Sequence, residues 1–131
     1  MANYCATARS NYFGVKDETA FREWADGLDL RVITQGSLFA IHPNSDGGWP
    51  SLRFPKDAEA EEEEIDLRAE LAQHLVEGDV AVLVEAGAER LRYVCGYAWA
   101  VNSSGDTNEI SLNDIYEIAY RMGNRVTDAS H

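Results

Sequence analysis

The strongest constraint on what this chain can become lies between Leu91 and Val101. Leu91, Tyr93, Cys95, Tyr97, Trp99 and Val101 alternate there with Arg92, Val94, Gly96, Ala98 and Ala100. A period of two is the signature of a strand. Both alternating sets are mainly apolar, and a strand apolar on both sides belongs where both sides are covered. The spacing therefore predicts a strand near the centre of a sheet. One face is large and aromatic, the other small enough to let a helix lie close. Val80-Ala81-Val82-Leu83-Val84 reads as a second buried strand. Gly87-Ala88 reads as the turn between the two.

Shorter signals surround this hairpin. Residues 4 to 15 are rich in Tyr, Thr, Phe and Val and read as a first strand with an interruption near Ser10. Asp17 is an N-cap, and Phe21, Trp24, Ala25 and Leu28 form one helical face, so a helix is expected over 17–27. Leu30 to Thr34 and Leu38 to His42 make another hairpin around Gln35-Gly36-Ser37. Residues 43–55 hold all three prolines and a Gly-Gly pair, which marks a loop. Ile65, Ala69, Ala72 and Val76, widened by Leu71 and Leu75, predict a helix whose apolar face holds over 65–76, with Glu61 to Glu64 in its first turn and residues 57–60 extended or frayed. Glu109 to Leu112 suggest a short strand. Ser111 with Asp114 resembles a capping box. Ile115, Ile118, Ala119 and Met122 are the expected core face of a last helix. The resulting class is α+β: an antiparallel sheet of two hairpins plus an N-terminal strand, with three helices packed mainly on one face. Residues 1–131 read as a single domain, with a loop and acidic run over 43–64 and a flexible tail over 124–131.

Charge is distributed very unevenly. Seven of the ten residues from Asp57 to Asp66 are acidic, and the stretch from Asp57 to Asp79 holds ten acids against Arg68 alone. That local excess is most of the formal -12. Direct nucleic-acid binding runs on Lys and Arg that displace counterions, so this balance argues against it. It argues equally against an anionic membrane. The start lacks a basic and an apolar targeting region, and no apolar run approaches a membrane span, so a cytoplasmic protein is expected. A charge run is usually a solvated surface; where it is more than that, it calls for a basic protein surface.

Signals of chemistry are few. His42 ends a strand, His74 stands four residues after Glu70 as an exposed pair, and His131 is in the tail. No pair or triad has metal-ligand spacing, and no nucleophile elbow or phosphate loop is present. Neither a catalytic residue, a metal nor a cofactor is assigned. Cys5 and Cys95 match no framework and read as small buried hydrophobes. Tyr93, Tyr97 and Trp99 read as a sheet face packed on helices, since the basic flanks of a base-stacking sheet are missing. Trp49 and Phe54 either fold back on the core or stand beside the acidic run for a partner.

Ser10-Asn11-Tyr12-Phe13-x-Val15-Lys16-Asp17 with Phe21 and Trp24, then Ala88-Glu89-x-Leu91-Arg92-Tyr93, then Leu112-x-Asp114-Ile115-Tyr116-Glu117, together resemble a family of small acidic proteins carried by bacterial plasmids, phages and integrated elements. The resemblance spans most of the chain and its motifs are structural. It implies a setting in which small acidic proteins inhibit host defence, as anti-restriction and anti-CRISPR proteins do, some of them as DNA mimics. It carries no residue role. The leading expectation is a non-enzymatic acidic binding protein whose partner is a basic surface, such as that of a nucleic-acid-binding protein. Glu59, Glu61, Glu62, Glu63, Glu64 and Asp66 are the expected contacts, with Trp49 and Phe54 as rim or anchor. Two alternatives stand beside it. One is a small-molecule-binding or enzymatic domain with its site between the 43–55 loop and the sheet, near His42 and Trp49. The other is a homo-oligomeric module joined through a sheet edge or helix face.

Overall fold

A computed structural model describes residues 4–53, 63–89, 93–127 and 129. Its fold is mixed α+β. In chain order the elements are β1 (Tyr4–Ser10), α1 (Glu18–Gly27), β2 (Leu30–Gln35), β3 (Leu38–Pro43), β4 (Leu52–Arg53), β5 (Glu63–Glu64), α2 (Leu67–Ala72), β6 (Val80–Glu89), β7 (Tyr93–Asn102), β8 (Thr107–Ser111), a 3-10 turn (Leu112–Asp114) and α3 (Ile115–Tyr120). The main sheet has the order β1-β6-β7-β8, and every pairing in it is antiparallel. The strand apolar on both faces is thus interior, as its pattern requires. The β2-β3 hairpin and the β4-β5 ribbon are separate two-stranded sheets.

The expected interruption at Ser10 is the hinge between sheets. Ser10 is buried; its hydroxyl donates to the Asn11 carbonyl at 2.7 Å and accepts from the Ile41 N–H at 2.8 Å. The Asn11 side chain then takes over the ladder with β6, accepting from the Val82 N–H at 2.8 Å and donating to the Val80 carbonyl at 3.1 Å. Two residues on, Phe13 bridges to Phe39 of β3 by reciprocal backbone bonds of 2.8 Å. Two polar side chains thus satisfy backbone groups that a continuous strand would have satisfied, and the chain crosses from one sheet to the next.

The core lies on one side of the main sheet. Phe13, Phe21, Ala25, Leu28, Ile41, Leu71, Leu75, Leu83 and Val101 are among its buried members. Helix α1 starts where expected, with the Asp17 carboxylate accepting from the Ala20 N–H at 3.1 Å. The second helix is shorter than its apolar spacing predicts. It begins after Asp66, whose side chain accepts from the Arg68 and Ala69 N–H groups. Glu63 and Glu64 belong to β5 rather than to a first helical turn. In an extended chain successive side chains point to opposite faces and each residue advances about 3.4 Å along the axis, against about 1.5 Å in a helix, so a run of glutamates is spread further apart. The buried stripe is Leu67, Leu71 and Leu75, while Ala69 and Val76 are exposed. Glu61, Glu62 and residues 57–60 lie outside the described residues.

Three further expectations are corrected. Gly87-Ala88 is not a turn: β6 continues to Glu89, and Gly87 faces β1, where a Cβ would stand 2.6 Å from the Cys5 carbonyl oxygen. Strand β6 is buried on one side only, at Ala81 and Leu83, whereas Val80 and Val84 are exposed. Helix α3 buries no residue; Ile115, Ile118 and Met122 are 56%, 51% and 83% exposed. The turn before α3 does meet the small-residue face of β7, since a Cβ on Gly96 would lie 2.7 Å from Leu112. The Ser111 N–H donates to Asp114 Oδ2 at 2.8 Å, as a capping box requires. Among the described residues, no helix is long and apolar enough to cross a membrane.

Candidate functional site

Where the β4-β5 ribbon meets the sheet, the structure opens a cleft of about 510 Å³. Three walls form it. One is the end of the long loop, Trp49 to Ser51. The second is Ile65 to Arg68, which leads into α2. The third is the core side of the sheet, at Leu83, Glu85, Tyr97 and Trp99. The ribbon brings the first two walls together, and the Ile65 N–H closes it by donating to the Ser51 carbonyl at 3.0 Å.

Glu85 organises the loop side. It shares strand phase with the buried Ala81 and Leu83, yet it is a carboxylate. Its Oε2 accepts from the Tyr4 hydroxyl at 2.7 Å, and its Oε1 accepts from the Trp49 N–H at 2.8 Å. Gly48 makes this approach possible: its φ is +88° and a Cβ there would stand 2.5 Å from Glu85 Oε1. The Trp49 indole donates to the Val84 carbonyl at 3.2 Å, so the ring is pinned at both ends. Burial first, and the hydrogen bond to the Glu85 carboxylate second, hold the Tyr4 phenol well above its ordinary value of 10.0.

Aromatic surface and mixed charge make up the opposite side. Tyr97 and Trp99 stack with ring centroids 5.7 Å apart, and the Arg68 guanidinium lies 5.9 Å above the Trp99 ring. Arg68 Nη1 is 3.6 Å from Glu109 Oε2, and the same oxygen accepts from the Trp99 indole at 2.6 Å. Arg68 Nε is 3.7 Å from Asp66 Oδ1. Hydrogen bonding to Cys95 leads the effects that raise the Tyr97 phenol above its ordinary value.

Of the residues singled out in the sequence, Trp49 and Asp66 line this cleft, and Glu63 and Glu64 stand exposed on β5, just before its Ile65 wall. Trp49 is folded partly onto the core, as one of its two readings held. Glu59, Glu61, Glu62 and Phe54 lie outside the described residues. His42 does not enter the cleft; its Nδ1 is engaged locally with the Pro43 carbonyl at 2.9 Å. His74 is not a simple exposed partner of Glu70. Its ring packs edge-on against Phe21 and tilted against Trp24, while Glu70 accepts from the Trp24 indole at 2.9 Å. Both cysteines are free, but Cys5 is exposed, not buried; it pairs across from Ala88 and Cys95 across from Gly87, which puts them on opposite faces. Among the described residues no group of three His, Cys, Asp or Glu side chains converges as a metal site would. Glu85, Arg68 and Tyr97 were not singled out as site residues. Glu85 carried a signal, since it is an acid that follows Ala81 and Leu83 in the inward phase of β6.

Fold and site together define an α+β domain with an antiparallel sheet and an aromatic cleft lined also by Asp66, Glu85 and Arg68. In comparison with known proteins, the chain matches no family model, no curated protein and no solved structure.

Proposed function

We propose that this chain is a non-enzymatic acidic binding protein that takes a basic segment of a partner protein at the ribbon and the cleft beneath it. The observation that carries the reading is that Trp49 and Asp66 line one concavity, with the exposed Glu63 and Glu64 on the ribbon strand that leads into its Ile65 wall. Carboxylates at the rim would steer a cationic segment in, and the aromatic walls would supply the buried contact that charge alone does not. The excess of acid over base between Asp57 and Asp79 supports a partner that normally holds nucleic acid, with carboxylates standing in for phosphates. The resemblance to small acidic proteins of mobile elements supports placing that partner in host defence. Cytoplasmic action follows from the same reading.

The test is capture from bacterial lysate by the native chain and by a variant with Glu61→Gln, Glu62→Gln, Glu63→Gln and Glu64→Gln, at low and moderate salt. The expected result is a partner held by the native chain, lost as salt rises and lost in the variant. Equal capture by both chains would sink the proposal. A second reading, a small-molecule site, is favoured by the aromatic lining of the cleft at Trp49, Tyr97 and Trp99. It is read by whether ligand-induced quenching of Trp fluorescence disappears in Trp49→Ala.

A further inference from the structure

The main sheet has two faces, and among the described residues the core covers only one of them. Register assigns the outer face: Val82 and Val84 on β6 lie opposite Ala100 and Ala98 on β7, and Ala98 lies opposite Ile110 on β8. Val94 is on the same side, four residues before Ala98. Val84, Val94 and Ile110 are all exposed, the last two by about two thirds. The turn at Leu112 packs on this face at Gly96, and Ile115 of α3 stands across an open cavity from Val94, with Ile115 and Ile118 exposed. Strands apolar on both sides belong to sheets covered on both sides, so the single chain leaves its own pattern incomplete. Monomeric proteins rarely expose contiguous apolar patches beyond a few hundred Å².

We propose that a second copy of this chain covers the outer face, sheet against sheet, about a two-fold axis. Charge selects this occupant. Among the described strand residues on this face none is Asp or Glu, and Arg9 is the one charge. A chain of formal charge -12 repels its own copies almost everywhere, but not here. A basic partner would find nothing on this face to read. Shape agrees: Gly, Ala and Val make a flat surface that suits sheets stacked about 10 Å apart. Size agrees as well. Four strands spaced about 4.8 Å apart, with about 3.4 Å per residue, give a projected face of roughly 500 Å². Side-chain relief and the side of α3 add to it, toward the roughly 800 Å² per partner of a stable interface. A two-fold axis lets one patch serve both copies.

Sedimentation equilibrium of the full chain over a wide concentration range tests this. A particle of twice 14.5 kDa that dissociates on dilution is expected. Val84→Lys with Ile110→Lys should weaken association at least about tenfold, because each copy would bury lysines without partners. Both side chains are already exposed in the single chain, so the circular dichroism of the variant should be unchanged. Methyl NMR of the native chain gives a second readout that needs no variant: signals of Val82, Val84 and Ile110 should shift with concentration while Ile41 and Leu71 stay fixed. A monomer at every concentration up to hundreds of micromolar overturns the proposal. So does a dimer that survives both lysines, or one whose outer-face methyls do not shift. Replacing Glu61 to Glu64 by Gln should leave the particle mass unchanged, which separates this interface from the acidic face.

Discussion

Gly48 and Glu85 are the clearest case of one residue made necessary by another. Replacing Gly48 by Ala puts a Cβ 2.5 Å from a carboxylate already committed to Tyr4 and Trp49, at a φ of +88° that side chains resist. Gly48→Ala should therefore cost about 1–3 kcal/mol in urea unfolding. Gly47→Ala, whose Cβ would meet only Ser45 Oγ at 3.7 Å, should cost far less. His74 is one residue through which pH acts on stability. Burial against Phe21 and Trp24 lowers its pKa below 6.5, helped by Lys16 and opposed by Glu70 and Asp17. The unfolded chain then binds the proton more readily than the folded one. Stability from this group is complete above about pH 6.5 and falls as pH drops below it. In His74→Gln the loss of stability between neutral pH and pH 5 should be shallower, read from denaturant midpoints across that window. Helix face and spacing made His74 visible in the sequence as a neighbour of Glu70, and it is one. The aromatic pair that desolvates it comes from α1, about fifty residues earlier, and no local pattern carries that.

At the scale of elements, the short helix α2 depends on its first carboxylate. Asp66 caps two N–H groups and stands 3.7 Å from Arg68, so it serves the fold as well as the rim of the cleft. Asp66→Ala should cost about 1 kcal/mol through the lost cap, while Asp66→Asn should keep most of that stability because Asn caps nearly as well. A drop in partner affinity in Asp66→Asn at unchanged stability would then report on charge alone. Helix α1 and the β2-β3 hairpin were legible because their signals are local: an N-cap, an apolar spacing of three and four, a Gly in the turn. Helix α2 was legible in its existence but not in its limits. Apolar residues at helical spacing continue to Val76, yet the chain leaves the helix after Ala72 and Leu75 bridges to Val15 instead. That bridge belongs to a segment some sixty residues away, and its backbone hydrogen bonds compete with the helical ones.

For the whole molecule, charge works against compactness. With a formal charge of -12, the folded chain repels itself more strongly than the expanded unfolded chain does. Urea midpoints should rise as sodium chloride is added and then level off once screening extends inside about 10 Å, near 0.1 M salt. An unchanged midpoint would mean that the acids are too dispersed in space to matter. By itself the sequence determined the class of fold, the interior place of β7, the N-cap of α1 and the concentration of acid, because each follows from residues close together in the chain. Tertiary structure alone decided which side of β6 and β7 the core would occupy. Both sides are apolar, and only the hairpin and helices that close over one of them break the tie. It also decided that Trp49 and Glu85 would meet, thirty-six residues apart, over a glycine that reads as one more turn residue. A contact of that kind exists only after long loops have closed, and nothing in a local stretch of chain encodes where those closures bring two side chains together.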